Sequence, residues 1–121
     1  MRVRGWFRRA PVPYLQFDAL EVPFDGRGQR VEESIAVVRA ALRGELFTHV
    51  GKVFRLAPMQ VTSRPTPVPI VCGGNTEVAL RRAALLADAW FASGTPSLAD
   101  AVAMRARIHE IRDAHGLQGF D

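Results

Sequence analysis

Four consecutive residues carry the clearest chemical signal in the sequence: Gly73, Gly74, Asn75 and Thr76. They follow a short apolar run, Ile70–Cys72, and precede a segment with helical periodicity. Because glycine has no Cβ, the backbone can turn tightly there and an anion can approach closely. The first amides of the next helix are unpaired and lie at its positive end, which favours phosphate. We predict a phosphate-binding turn with added hydrogen bonds from the Asn75 and Thr76 side chains, and with Glu77 facing away. The alternative is a plain strand-to-helix turn that needs glycine.

Other arrangements that could support catalysis are weaker. The turn matches neither the dinucleotide-binding pattern G-x-G-x-x-G nor the P-loop pattern, so neither chemistry is supported. The histidines His49, His109 and His115 lack cysteine or carboxylate partners at metal-ligand spacing, so we expect no metal site. Cys72 lies inside an apolar run and is interpreted as a packed side chain. No Ser/His/Asp arrangement stands out, and the catalytic residues stay unassigned.

The segments after Pro69 must position the turn, and they alternate between strand and helix patterns. Ile70–Cys72 and Ala89–Ala92 are apolar runs typical of strands buried on both faces. We predict helices from Glu77 to about Ala87 and from Ser97 to about His115, the second with a Ser97 cap. Short βα connections of this kind indicate a parallel α/β sheet, which binds ligands at the carboxyl ends of its strands. The predicted packing positions are Val78, Ala79, Ala83 and Leu86 in the first helix, where Arg81 and Arg82 point away, and Ala101, Met104, Ile108 and Ile111 in the second.

The upstream half of the chain predicts one helix and one hairpin. A helix is predicted from Arg27 to about Arg43, because its apolar residues recur at helical spacing: Val31, Ile35, Val38 and Leu42. Gly44 can end this helix. Two β-branched and aromatic runs, 46–50 and 52–56, flank Gly51 and indicate a hairpin. The Pro-rich stretch 57–69 is predicted to be extended. Residues 1–16 are interpreted as an irregular basic segment, because Pro11 and Pro13 interrupt it, and residues 17–121 as the folded domain.

Size and charge limit the functional classes. The 121 residues suit one domain but are short for a complete eight-stranded barrel, which needs roughly 250. The net charge is +4, yet outside residues 1–16 the arginines are interspersed with acids, which argues against nucleic acid as the main partner. No apolar run approaches the roughly 18 residues of a membrane span. The single cysteine fits a reducing compartment, so we expect a cytoplasmic protein.

The order and spacing of several segments resemble the luciferase-like monooxygenases. These are TIM (β/α)8 barrels that include deazaflavin (coenzyme F420)-dependent and FMN-dependent oxidoreductases. The similar segments are Phe17–Glu33, Ile35–Arg39, Gly51–Phe54, Pro67–Thr76, Ala79–Ala84 and Asp88–Trp90. Within the first of them, Glu21 stands where the family prefers glycine.

The resemblance implies a partial TIM barrel that runs roughly from the helix after strand 4 to the helix after strand 6. Pro69–Gly74 is then the fifth strand with its loop, which contacts the coenzyme phosphate in the family. The implied ligands are coenzyme F420 or FMN, held at Gly73, Gly74, Asn75 and Thr76, and a small organic substrate in the full-length family. Arg30 and Glu33 resemble an Arg/Glu pair of the family, which implies an ion pair that orients their helix.

The same resemblance leaves the first three and the last two strands of the barrel without a counterpart. We therefore expect a fragment of a luciferase-like oxidoreductase that lacks most of the active site. The alternative is a catalytically inactive half-barrel that acts as an oligomerisation or interaction module. Its open strand edges would then pair with a second copy or with another chain.

Overall fold

The computed structural model describes residues 12–62, 68–94 and 96–120. Within these ranges the chain forms four helices and four strands: α1 Val12–Ala19, α2 Arg27–Leu42, β1 Phe47–Val50, β2 Arg55–Met59, β3 Val71–Gly73, α3 Glu77–Leu86, β4 Ala89–Phe91 and α4 Leu98–Ala114. The described strands form two separate pairs, β1 with β2 and β3 with β4. The predicted α/β class is confirmed, whereas the position of this segment in a TIM barrel stays a prediction.

Helix α1 corrects the prediction that residues 1–16 are irregular, because residues 12–16 are helical. Pro13 is the second residue of the helix, in the first turn, where its missing N–H has no intrahelical partner to lose. The helix ends in a Schellman motif: the Val22 N–H donates to the Phe17 carbonyl and the Glu21 N–H to the Asp18 carbonyl. Glu21 adopts φ 55° there, a conformation that favours glycine. Residues 1–11 lie outside the described part.

The upstream helix and hairpin are confirmed with small changes. Helix α2 ends where predicted, and Gly44 follows its C-cap with φ 70°. Strands β1 and β2 pair antiparallel, but β2 begins at Arg55 rather than Lys52. It also includes residues 57–59, which were predicted to belong to the extended connection. Residues 63–67 of that connection lie outside the described part.

The βαβα unit after Pro69 has the predicted topology. Strands β3 and β4 are parallel, with Cys72 beside Trp90 and Gly73 beside Phe91. The Ser97 hydroxyl accepts the Asp100 N–H, so helix α4 begins with the predicted cap. A second Schellman motif with Gly116 at φ 66° ends the same helix.

The core lies between the β3–β4 sheet and the three longer helices. One cluster combines Ile35 of α2 with Cys72, Ala83 and Ala87. A second cluster joins α3 to α4 through Leu80, Ala84, Ile108 and Ile111. Trp90 and Phe120 pack against both clusters, so strand β4 and the C-terminal residues hold them together.

Burial corrects several predictions about which side chains face the core. Val71 and Phe91 are 55% and 71% exposed, so β3 and β4 are covered on one face and not on both. Helix α3 buries Leu80, Ala83 and Ala84, whereas Val78 and Leu86, two of its predicted packing positions, are exposed. The Arg82 side chain does not point away from the protein: its Nε donates to the Glu32 carboxylate of α2 at 3.1 Å. In the described part of the chain, helices pack against one face of this two-stranded sheet, so the side chains on its other face are exposed.

Candidate functional site

The four predicted site residues form the connection from β3 to α3. Gly73 ends β3, Thr76 caps α3, and the helix begins at Glu77. Because β4 runs parallel to β3, Ser93 follows β4 at the same edge of the sheet. The turn therefore lies at the carboxyl end of both strands, where parallel α/β proteins bind ligands.

Gly74 is required by the fold. Its φ of 116° is a conformation that side chains rarely adopt, and a Cβ built on it would lie 2.6 Å from the Ala79 Cβ. Its carbonyl accepts the Trp90 indole N–H at 2.8 Å. For this residue the alternative interpretation, a turn that needs glycine, is sufficient.

Gly73 differs from its neighbour, because it is exposed and its φ is not positive. A Cβ at Gly73 would lie 3.2 Å from the Ser93 Oγ and 3.5 Å from the Phe91 carbonyl oxygen. The serine is exposed and can rotate away, so the fold tolerates a larger residue at this position. What a Cβ would fill is the open approach to the backbone between strand and helix, which fits a ligand that contacts the backbone.

The side chains of Asn75 and Thr76 are engaged with the protein. Asn75 donates from Nδ2 to the Ser93 carbonyl at 2.6 Å and accepts the Ser93 N–H at 2.9 Å. The Thr76 hydroxyl oxygen accepts the Ala79 N–H at 3.3 Å, as an N-cap does. Phosphate contacts by these two side chains stay a prediction; the Thr76 hydroxyl retains its own proton to donate.

Backbone amides at the start of α3 supply the positive end of the site. Glu77 and Val78 are its first two residues, and their N–H groups have no acceptor in the described part of the chain. The Glu77 carboxylate accepts three hydrogen bonds from Arg107 of α4, at 2.8, 3.0 and 3.3 Å. The hydrogen bond from Arg107 is the main reason that the pKa of Glu77 lies below its usual value. Glu77 is thus bound to α4, and its orientation away from a phosphate stays a prediction.

Glu33 lies at the centre of a polar cluster with four partners, and sequence reasoning missed it. Its carboxylate accepts the backbone N–H groups of Lys52, Val53 and Phe54 at 2.9 to 3.1 Å and lies 3.2 Å from the His49 Nε2. These bonds lower the pKa of Glu33 to about 2. The Phe54 N–H has the largest effect. Desolvation opposes it, and the hydrogen bonds from His49, Val53 and Lys52 lower the pKa further. A Cβ on Gly51 would collide with this carboxylate. Glu33 therefore fastens the hairpin to α2.

The ion pair between Arg30 and Glu33 that the resemblance implied was wrong. Arg30 donates instead to the Pro23 carbonyl at 3.2 Å. The sequence around Glu33 gave no local signal of this role, because the amides that donate to it lie 19 to 21 residues further along the chain. The glycine between two β-rich runs was the signal that could have indicated it.

A second missed cluster fixes the start of the parallel strands. Arg39 of α2 donates to the Leu86 carbonyl at 2.9 Å and to Asp88 Oδ1 at 3.0 Å. Asp88 Oδ2 accepts the Ile70 N–H at 2.8 Å. This N–H and, second, Arg39 hold the pKa of Asp88 below its usual value. The cluster sits at the end of the sheet opposite the glycine turn, so its role is to position strands.

Three other features bear on the remaining predictions: possible metal ligands, the cysteine and the length of the helices. In the described ranges no three His, Cys, Asp or Glu residues are grouped so that they could hold a metal ion. Cys72 is buried, and burial raises the pKa of its thiol. None of the described helices is both long and apolar enough to cross a bilayer.

The fold and the turn define an α/β protein whose parallel βαβα unit presents a glycine turn at the carboxyl end of its strands. The family model of the luciferase-like monooxygenases matches residues 7–120, so the chain belongs to that family. Uncharacterised proteins of Mycobacterium bovis and of two Mycobacterium tuberculosis strains are each 36% identical to it over 102 residues. The match covers 83% of this chain and 34% of each relative, so the chain spans about a third of their length. The resemblance to the family is confirmed, and the F420 subgroup stays a prediction.

Proposed function

We propose that this chain is part of a flavin- or deazaflavin-dependent oxidoreductase and that the turn after β3 anchors the coenzyme phosphate. The observation that carries the proposal is Gly73, a glycine that the backbone conformation does not require. It lies in the same turn that leads into α3, where the N–H groups of Glu77 and Val78 have no acceptor among the described residues. Charge-assisted hydrogen bonds from such amides are strong, and the helix end adds positive potential.

The uncovered face of the β3–β4 sheet supports the assignment to a barrel. In the described part of the chain, helices cover the face of Cys72 and Trp90, whereas Val71 and Phe91 project from the other face. The interior of a TIM barrel is apolar and is bounded by this second face of each strand. Completion of the barrel would place a small organic substrate above this interior, at the carboxyl edge of the sheet.

The coenzyme, FMN or F420, supplies the hydride-transfer or oxygen-activating chemistry when it is bound. The residues of this chain bind and orient it. The amides at the start of α3 hold the phosphate, and Glu77 stays paired with Arg107, so that its charge is partly neutralised near the anion. We assign no proton-transfer role to any residue.

The test compares coenzymes with and without phosphate. We expect the purified chain to bind FMN at least about tenfold more tightly than riboflavin, because only FMN has a phosphate for the α3 amides to bind. Flavin fluorescence measures both affinities, and a tenfold difference corresponds to about 1.4 kcal/mol. Coenzyme F420 and its deazaflavin chromophore without phosphate form the second pair. Gly73→Ala should remove most of the preference, whereas Ala99→Val, which enlarges an exposed residue of α4, should not. Equal binding within both pairs would contradict the proposal.

An interaction module is the second candidate, favoured by an apolar cavity of about 420 Å³ between α2 and β3. Val31, Val38 and Val71 line it and are 43 to 55% exposed, and the described part of β3 pairs with β4 alone. A second copy that pairs with this edge would cover them. Analytical ultracentrifugation should then detect a dimer that Val71→Lys dissociates, and a wild-type chain that stays monomeric contradicts this candidate.

A further inference from the structure

Two turns at the ligand-binding edge are joined by a reciprocal pair of hydrogen bonds. Asn75, in the turn after β3, donates to the Ser93 carbonyl and accepts the Ser93 N–H, at 2.6 and 2.9 Å. The two residues are 18 positions apart and follow neighbouring parallel strands. The Trp90 indole adds a third bond to the Gly74 carbonyl, at 2.8 Å. We call these three bonds the turn clamp.

The chemistry of the clamp requires a carboxamide. The side chain must offer one donor and one acceptor at the same time, to the carbonyl and the N–H of a single residue. A carboxylate offers acceptors alone, and an alkyl group offers neither. Because the clamp uses the backbone of Ser93, the hydroxyl of Ser93 takes no part in it. The Ser93 hydroxyl lies close to Gly73: a Cβ built on Gly73 would be 3.2 Å from the Ser93 Oγ.

We propose that Asn75 is a positioning residue for the coenzyme phosphate. It acts through the clamp and not by contact with the anion. It holds the turn after β3 and the turn after β4 in one arrangement, so that the α3 amides and the Ser93 hydroxyl face the same volume beside Gly73. This inference rests on the proposed function, and it extends the site to a second turn.

The physical argument is preorganisation. Backbone amides bind an anion well when they already converge, since otherwise binding must first order the turn. Gly73 and Gly74 make this turn more mobile than other residues would, because glycine has the largest conformational freedom to lose. The two residues that follow these glycines are held by hydrogen bonds within the protein, Asn75 to Ser93 and Thr76 to Ala79. The clamp thus counteracts the freedom that the glycines introduce.

The experiment measures backbone order and coenzyme binding in the same variants. Asn75→Ala should raise amide hydrogen exchange at residues 74–78 and 92–94 in the free protein. It should weaken FMN binding about tenfold while riboflavin binding stays unchanged. Gln29→Ala removes an exposed carboxamide from α2 and should change neither property. Ser93→Ala keeps the clamp, so its exchange rates should match those of the wild type, while its FMN affinity falls severalfold.

The outcomes separate this inference from the proposed function. A wild-type chain that binds both members of each coenzyme pair equally overturns the proposed function and, with it, the role of Asn75. The inference alone is overturned if the wild-type chain prefers the phosphate form and the Asn75→Ala variant keeps either that preference or the wild-type rates of amide exchange. If Asn75→Ala does not fold, Asn75→Gln takes its place. It keeps both hydrogen-bonding groups on a longer stem, and it should show an intermediate loss of FMN affinity.

Discussion

The two adjacent glycines of the turn should respond to the same substitution in different ways. Gly74→Ala places a methyl group at a position where φ is 116° and the Ala79 Cβ is 2.6 Å away. Gly73→Ala places it where φ is not positive and where the nearest atom is an exposed hydroxyl at 3.2 Å. We therefore expect the first to reduce stability and the second to reduce coenzyme binding.

The magnitude for Gly74→Ala has two parts. A sparsely populated backbone conformation costs roughly 1–3 kcal/mol. An overpacked contact costs another ~1–3 kcal/mol, unless the backbone shifts. We expect a loss of at least about 2 kcal/mol in the free energy of unfolding, or roughly 6–12 °C in melting temperature for a chain of this size.

Thermal unfolding followed by circular dichroism tests this expectation, with Gly73→Ala as the matched control. The double variant Gly74→Ala/Ala79→Gly separates the two parts, because it removes the clash and leaves the backbone strain. It should regain part of the lost stability, less about 1 kcal/mol for glycine in a helix. A Gly74→Ala variant that melts within a degree of the wild type would refute this account of the turn.

Three further predictions concern the framework that holds the turn. Glu33 has a pKa lowered from 4.5 to about 2 in the folded state, so its contribution is complete above pH 4.5 and is lost as pH falls towards 2. Glu33→Gln should therefore lower the melting temperature at pH 7 and flatten its dependence on pH between 5 and 2; a parallel curve for both proteins contradicts this. Glu21→Gly relieves a residue at φ 55° and should stabilise the chain by about 0.5–1 kcal/mol in urea unfolding; a variant no more stable than the wild type contradicts this C-terminal turn of α1. Arg112→Met leaves the buried Ala84 carbonyl and the Gln118 carbonyl without their donor, which should cost about 2–4 kcal/mol and expose the C-terminal residues to protease. Unchanged proteolysis would argue against that role.

Local sequence signals predicted the elements well wherever capping residues and periodicity agreed. Ser97 and Gly116 delimit helix α4, and Ile108 and Ile111 lie on its buried face as predicted. Helix α1 was missed because Pro13 was interpreted as a breaker, although proline is tolerated in a first turn. That distinction depends on where the helix begins, which the short segment did not indicate.

Burial was predicted less well, because it depends on partners that lie far away in the sequence. The apolar run 70–72 has the composition of a strand covered on both faces, yet Val71 is exposed since helices cover one face alone. Likewise, the charge of Arg82 suggested solvent, but Glu32 of α2 is its partner. Composition specifies which side chains tolerate burial, and the tertiary arrangement decides which of them are buried.

The candidate site shows the same division. The location of the turn at the strand ends followed from the glycines and the helix pattern. The roles of Asn75 and Thr76 did not, because hydrogen bonds to Ser93 and Ala79 depend on the geometry of two adjacent turns. Glu33 illustrates the limit most clearly, since its three amide donors come from a hairpin about 20 residues further along.

The most direct test of the central claim follows the backbone amides themselves. In ¹H–¹⁵N NMR spectra of the purified chain, addition of FMN or of coenzyme F420 should shift the amide signals of Gly74, Glu77 and Val78. The matching compound without phosphate should leave them in place. Shifts of the same size with both members of a pair, or shifts confined to other parts of the chain, would contradict the claim that this turn anchors the coenzyme phosphate.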